Sequence, residues 1–550
     1  MLRKFLSTAD PNEARMILRR ALSLDQPKMW VFALIVGVAS GYAALFFYLT
    51  VGWLQRQLYG ADEAAVETGV AALDWWLVIL IPMAGGAVVG TILAVFSESG
   101  RPASVSEIIE ASRIKDCQLS GRTMTISAAV SAISLGFGAS TGREGPVVHL
   151  GASLASMFAH ALRLNTIESR TLLGCAAAAA VSSSFNAPIA GALFALEVVL
   201  GYYAVRAFAP IVVASVAGAV ISRYHLGDFP AFIIPERALV SFWELPAFGL
   251  LGIVCAITAT LLMYTIIVAD KITDMTQEEL HYPLWIEPVI GGALIGMLAL
   301  VFPQVIGIGY EATGDVLGES FGFWTIIAII VAKTAAVAIT LATRFGGGVF
   351  SPSLMLGAFT GGAFGIVATS IFPDFSGTYG LYALAGMGAV AAAVLGAPIS
   401  TSLIVFELTG DYQTAIAVLI TVSVASVLTQ QTIERSYFHW RLGNRGLHLG
   451  DGPQRYLLDT MLVSSTMLPR GSEGSPSETQ SWELIEQGVM LEADDKLSKA
   501  LPMFKSSLTY IPVVSMNEGG GRTLTGALFH VDALRAYNRA LVEAHEEEHG

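Results

Sequence analysis

Long apolar runs, interrupted by short polar ones, dominate the first four-fifths of the chain. Residues 29–54, 76–96, 208–221, 247–269, 286–301, 325–342 and 415–428 carry few charges or none. A helix of about 20 such residues crosses the hydrocarbon of a bilayer, so each run predicts a spanning helix. Other apolar stretches are shorter, or broken by Gly and Pro. Beyond Arg445 the pattern changes to that of a soluble segment. A Ser/Pro/Gly/Glu-rich stretch at 468–482 predicts a linker or loop. After it come a helical stretch, a short strand at "YIPVV", a Gly-rich turn, an apolar strand and a last helix. The closing "EAHEEEHG" reads as a solvated acidic tail, because like charges in a block repel.

Composition agrees with the pattern. The 550 residues are 54% hydrophobic and 14% charged, with a mean hydropathy of +0.62, which predicts a polytopic membrane protein of all-α fold. The amino-terminal segment 1–28 holds Arg3, Lys4, Arg15, Arg19, Arg20 and Lys28 without a cleavage site after a short apolar core, so the first span is expected to be an uncleaved anchor. Positive charge also gathers at 101–122 and 435–445, whereas 59–74 has acids and no Lys or Arg. By the positive-inside bias both termini are cytoplasmic and the acidic loop is outside. The net charge of −13 lies mainly in loops and tail and points to no nucleic-acid partner. Cys117, Cys175 and Cys255 lack metal-like spacing; they read as packing residues, and no metal site is expected.

An internal repeat organises the apolar part. "GREGPVVHLGA" from Gly142 and "GVFSPSLMLGA" from Gly348 share a glycine, a proline four residues on, and Leu-Gly-Ala at one distance. "FNAPIAGALFALE" and "LGAPISTSLIVFE" share Ala-Pro and end on Glu197 and Glu407. Gly142 to Gly348 is 206 residues and Glu197 to Glu407 is 210, so one duplication with a small indel relates halves at about 29–221 and 247–428. Glu197 and Glu407, being equivalent, read as helix-end partners. Lys333 reads as the partner of a buried carboxylate or as a snorkelling residue, and His149 as a polar contact within the bundle.

Gly/Pro-interrupted segments at matching places in two halves are how transporters build a site at the bilayer midplane. Irregular backbone survives there only where it lines a cavity or is packed in protein. Pro146 and Pro352 fit first helical turns, so the breaks at 142–146 and 346–352 each precede a helix. Such a helix start aims unpaired N–H groups and a positive dipole end at what lies before it. Two of them make an anion site that, without a full charge, can also release its ion. Glu144 stands at the mouth of the first break. Ionised, it competes with the permeant anion; protonated, it withdraws, and so it couples protons to anions. A structural ion pair with Arg143 is the other reading of the same residues. No second carboxylate, metal-ligand spacing or Ser/Cys nucleophile motif lies near the breaks, so the chain is not expected to be an enzyme.

"GREGP" at 142–146, "GGVFSP" at 347–352 and "RSYFHWRL" at 435–442 resemble anion-path segments of the CLC chloride channel and transporter family over about residues 29–450. The resemblance implies the family's inverted repeat with broken helices. It also implies that Glu144 is the gating and proton-coupling glutamate and that amides near Gly145, Val349 and Phe350 hold the ion. The Tyr437 hydroxyl would donate to that ion, and Arg143 would be structural beside it. The family's first anion segment has no clean copy. "ESGRP" at 98–102, with Ser99, matches it partly. The preferred register at 102–108 puts Ala103 where an ion-binding serine would be, with Ser104 beside it, which leaves the choice between chloride and nitrate open. Well-coupled exchangers carry a second glutamate directly after the Glu197 equivalent; this chain has Val198. The expected function is proton-coupled chloride antiport, with a passive voltage- or pH-gated chloride channel on the same fold as the alternative. Expected partners are chloride, nitrate or other small anions, protons, the lipid bilayer and a second copy in a homodimer. The resemblance further implies a bacterial inner membrane location and, at 449–550, a small α/β domain of cystathionine-beta-synthase (CBS) type. No cofactor is required, although that domain could hold an adenine nucleotide.

Overall fold

The computed structural model describes residues 25–227, 242–373, 376–433, 435–449, 453–504, 508–516 and 522–549. The basic residues at 3–20 and the Gly-rich turn at 518–521 lie outside them. The first half contains α1 (Asp25–Tyr59), α2 (Trp75–Phe96), α3 (Val105–Arg113), α4 (Gly121–Gly136), α5 (Glu144–Ala161), α6 (Thr166–Phe185), α7 (Pro188–Phe194) and α8 (Val205–Leu226). The second contains α9 (Leu245–Leu280), α10 (Glu287–Ala299), α11 (Tyr310–Leu317), α12 (Phe323–Ala342), α13 (Phe350–Ile371), α14 (Tyr379–Leu395), α15 (Pro398–Thr409) and α16 (Tyr412–Gln430). A short α17 (Tyr437–Gly443) follows.

Six of the expected spans are helices long and apolar enough to cross a membrane, and α13 is a seventh among the described residues. The run at 286–301 forms only the shorter α10. α5 and α13 are the helices that follow the two breaks, as the prolines require. At the centre of each half lies a helix buried nearly all round. α6 carries "GCAAAAAV" and α14 "GMGAVAAAVL". Small side chains let neighbouring helices approach closely where no hydrophobic force separates protein from lipid, and α6 packs on α5 and α8 as α14 packs on α13 and α16.

The halves are joined by reciprocal contacts. A Cβ on Gly86 of α2 would lie 2.0 Å from the Pro288 carbonyl of α10, and one on Gly292 of α10 would lie 2.2 Å from the Pro82 carbonyl of α2. These two pairs have the same spacing as Gly142 and Gly348, so the crossing is one contact made twice. Glu197 and Glu407 exchange in the same manner. Glu407 accepts the N–H groups of Ile189 (3.0 Å) and Ala190 (2.7 Å) at the start of α7. Glu197 accepts those of Ile399 (3.0 Å) and Ser400 (2.8 Å) at the start of α15. Each carboxylate thus caps the helix of the opposite half, where the dipole favours a negative charge. Glu197→Ala and Glu407→Ala should each cost about 2 kcal/mol, the worth of charged bonds to orphan amides. Thermal inactivation in detergent reads this, and an unchanged midpoint for both variants would remove the caps from the account of stability.

Lys333 does not snorkel, and the Glu67 carboxylate reaches it by charge without an ion pair within 4 Å among the described residues. It is fully buried in α12 and its Nζ donates to the carbonyls of Val305 (3.1 Å) and Gly307 (2.9 Å). The short 3-10 turn Pro303–Val305 and the loop after it offer those carbonyls, and the ammonium donates to both.

In the tail, β2 (Leu491–Glu492) pairs parallel with β3 (Tyr510–Met516), and β3 pairs antiparallel with β4 (Arg522–Phe529). β1 (Leu468–Pro469) closes the four-stranded sheet on the other edge of β4. The stretch expected to be a linker is therefore partly ordered: it supplies β1 and the start of a helix, Glu478–Glu486, capped by the Ser477 side chain. The last helix continues through the acidic segment to His549, because it starts earlier, at His530, with buried Ala533 in the small core beneath the sheet.

Candidate functional site

The two breaks meet. The Gly142 N–H donates to the Gly348 carbonyl at 2.8 Å and the Gly348 N–H to the Gly142 carbonyl at 2.9 Å, an isolated antiparallel bridge. This pairing satisfies backbone that helices do not. It also brings the first turns of α5 and α13 together, so that their free N–H groups converge. Side chains are excluded from the junction: a Cβ on Gly142 would lie 2.8 Å from Glu144 Oε2 and 3.0 Å from the Ser351 nitrogen. Gly347 has φ +149° and would place a Cβ 2.0 Å from Thr141 Oγ1.

Glu144 is 1% exposed. The Ser351 hydroxyl donates to its Oε1 at 2.6 Å, and Oε2 has no hydrogen-bond partner among the described residues. The carboxylate thus lies against the start of α13, at the convergence of the two helices.

Beside it is a cavity of about 10 Å³, room for one water-sized particle. Ser104, Glu144, Gly145, Val349, Phe350 and Tyr437 all line it, six residues from segments scattered over the whole apolar sequence. Phe350 is held by Phe185 and Phe194, with ring centroids 5.0 and 5.7 Å away. One of the predicted anion-binding residues is elsewhere. Ala103 does not line the cavity, and its N–H donates to Ser127 Oγ at 2.9 Å. Ser104 reaches the wall instead, as the extended N-cap of α3. Its hydroxyl donates to Glu107 Oε2 at 3.0 Å and its N–H to the same oxygen at 2.6 Å.

Arg143 turns away from the cavity. Its guanidinium bonds Glu63, from the acidic loop after α1, and sits over the rings of Tyr48 (4.8 Å) and Tyr310 (5.2 Å). Burial pushes the Glu63 carboxyl up, and the Arg143 charge opposes that shift. This cluster borders a wide cavity of about 530 Å³ lined also by Asn186, Glu311 and Asp315. Arg143 lines the wide cavity and Glu144 the small one, so the dipeptide stands between them. In that acidic loop, burial and the neighbouring Glu311 raise Glu67 to about 7.

Sequence reasoning overlooked two residues of the site. Ser351 lies inside a recognised motif but was not singled out. Arg441 also lines the small cavity; its position one helical turn after Tyr437 was the available signal, since residues four apart share a helix face.

With this geometry the comparisons have a structural basis. Residues 85–430 match the family model described as voltage gated chloride channel. A protein of Ralstonia nicotianae named as ClcB-like among chloride channel proteins is 32% identical over 396 residues, which are 71% of this chain and 91% of that one. The H(+)/Cl(−) exchange transporter ClcA of Citrobacter koseri is 28% identical over 424 residues, 75% of this chain and 88% of the relative. Among solved structures, a slow cyanobacterial Cl−/H+ antiporter superposes with TM-score 0.67 at 21% identity, covering 76% of this chain and 98% of that one. A CLC-type fluoride/proton antiporter does so with TM-score 0.62 at 20% identity, covering 75% and 97%. A family match over most of the chain, on a fold whose duplicated broken helices meet at a buried glutamate, makes this integral membrane protein a member of the voltage gated chloride channel (CLC) family.

Proposed function

We propose that the protein exchanges chloride for protons across the membrane, with Glu144 as both gate and proton carrier. The observation that carries this reading is the position of the Glu144 carboxylate, which lies against the first turn of α13 and accepts from Ser351. Ionised, it fills the amide cradle in place of an anion. Protonated, it loses its attraction for the N–H groups, and chloride takes its place beside Gly145, Val349 and Phe350. Tyr437 and Ser104 both line the cavity, and Ser104 stands there in place of Ala103. Arg143, fixed by Glu63, holds the break rigid. The exchange named for the ClcA relative supports the same reading. We place both termini in the cytoplasm of a bacterial inner membrane, one pathway in each subunit of a homodimer, and a CBS-like domain in the tail.

Val198 favours a second reading, passive conduction. It is buried beside Glu197, where the resemblance calls for a second proton acceptor, and Glu197 itself is committed to the α15 cap. The reversal potential of purified protein in liposomes under a fixed chloride gradient distinguishes the two. Under exchange, imposing a pH gradient alone shifts the potential away from the chloride value. A potential that follows chloride only would make the protein a channel.

A further inference from the structure

The lining of the small cavity also carries a full positive charge that the exchange cycle leaves without a task. Arg441 and Tyr437, one turn apart on α17, both line the cavity. The carboxylates whose charge reaches Arg441 are Glu107 and Asp270, and both are engaged elsewhere. Glu107 Oε1 accepts from Arg445 at 2.7 Å and Oε2 from Ser104. Asp270 accepts from Arg101 at 3.0 Å. None of the ion pairs within 4 Å among the described residues includes Arg441. The other polar groups of α3 near this wall are also committed, the Ala103 amide to Ser127 and the Ser104 hydroxyl to Glu107.

A half-buried guanidinium beside an anion-sized cavity, with no carboxylate paired to it, has unfilled donor capacity. We infer that Arg441 is a direct ligand of the transported anion and that it makes the site favour planar oxyanions, of the nitrate or bicarbonate class, over chloride. The inference rests on the proposed anion occupancy of this cavity. Its physical basis is the planar fork of N–H donors, which matches two oxygens of a planar anion at once but offers a spherical ion no such advantage. A full charge in low dielectric also binds an anion harder than backbone dipoles do, so release from this wall is slow.

The test is calorimetric titration of the purified full-length protein with nitrate and with chloride, for the wild type, Arg441→Lys and Arg441→Leu. The wild type should bind nitrate more tightly than chloride. Arg441→Lys keeps the charge and loses the fork, so its nitrate-to-chloride affinity ratio should fall about tenfold, the loss of one charge-assisted bond. Arg441→Leu should weaken both anions and raise anion turnover in liposomes. Arg441→Lys carries the test by itself if Arg441→Leu does not fold. Wild-type ratio and affinities retained in Arg441→Lys would overturn the assignment while leaving exchange intact. A wild type that binds neither anion would overturn the anion site on which it rests. Binding requires no proton gradient, so a protein shown to be a channel would still test Arg441.

Discussion

Glu144→Gln in liposomes should return the reversal potential to the chloride value under every pH gradient, with anion flux equal to the wild type or higher. The amide has nearly the same size and can still accept from Ser351, but it carries neither a negative charge nor an exchangeable proton. Its competition with the permeant anion for the α5 and α13 amides is therefore weak at all pH values, and the proton half of the cycle has no carrier. Proton uptake driven by a chloride gradient, followed with a pH electrode, should fall at least about tenfold, to the lipid leak, because one essential acid is lost. Proton uptake that persists in Glu144→Gln would remove this residue from the proton path. Loss of anion flux together with proton flux would show that the carboxylate binds rather than gates.

The second large effect is on stability. Arg143→Met should destabilise the protein by about 3–5 kcal/mol, the cost of leaving one member of a buried ion pair alone. The stranded group is Glu63, at 5% exposure and with one oxygen already lacking a partner. Its carboxyl, pushed up by burial, then loses the one positive charge that opposed the shift. The sign of the pH dependence follows: a folded-state pKa above the unfolded value means that stability falls as pH rises through that range. Arg143→Met should accordingly lose more at pH 8 than at pH 5, and adding Glu63→Gln should recover part of the loss. Thermal inactivation midpoints at the two pH values check this. Equal losses at both would place the damage in the stacking on Tyr48 and Tyr310 instead.

Much of the fold was legible because bilayer solvation imposes simple rules on sequence. Apolar length marked most of the spans. It missed α13, a seventh span whose start lies in the second break and whose glycines pack against α14. It overestimated 286–301, which becomes the shorter α10 crossing α2 through glycines. In the tail, a Ser/Pro-rich composition suggested a linker, but strand pairing with β4 depends on what lies 59 residues away at Ala527, opposite Leu468, which local composition does not record.

The candidate site divides along the same line. The amino-acid sequence by itself determined the duplication, the two breaks, the helix starts at Pro146 and Pro352, and the presence of Glu144 at one of them, since each is a matter of local backbone chemistry. Only the tertiary structure decided that the breaks bond to each other through Gly142 and Gly348, and that Glu197 and Glu407 cap helices of opposite halves. It likewise turned Arg143 to Glu63, put Ser104 rather than Ala103 on the cavity wall, and brought Arg441 there. These are pairings between residues far apart in the chain. Their geometry is set by how closely small-residue helices pack, and that distance is a property of both partners together.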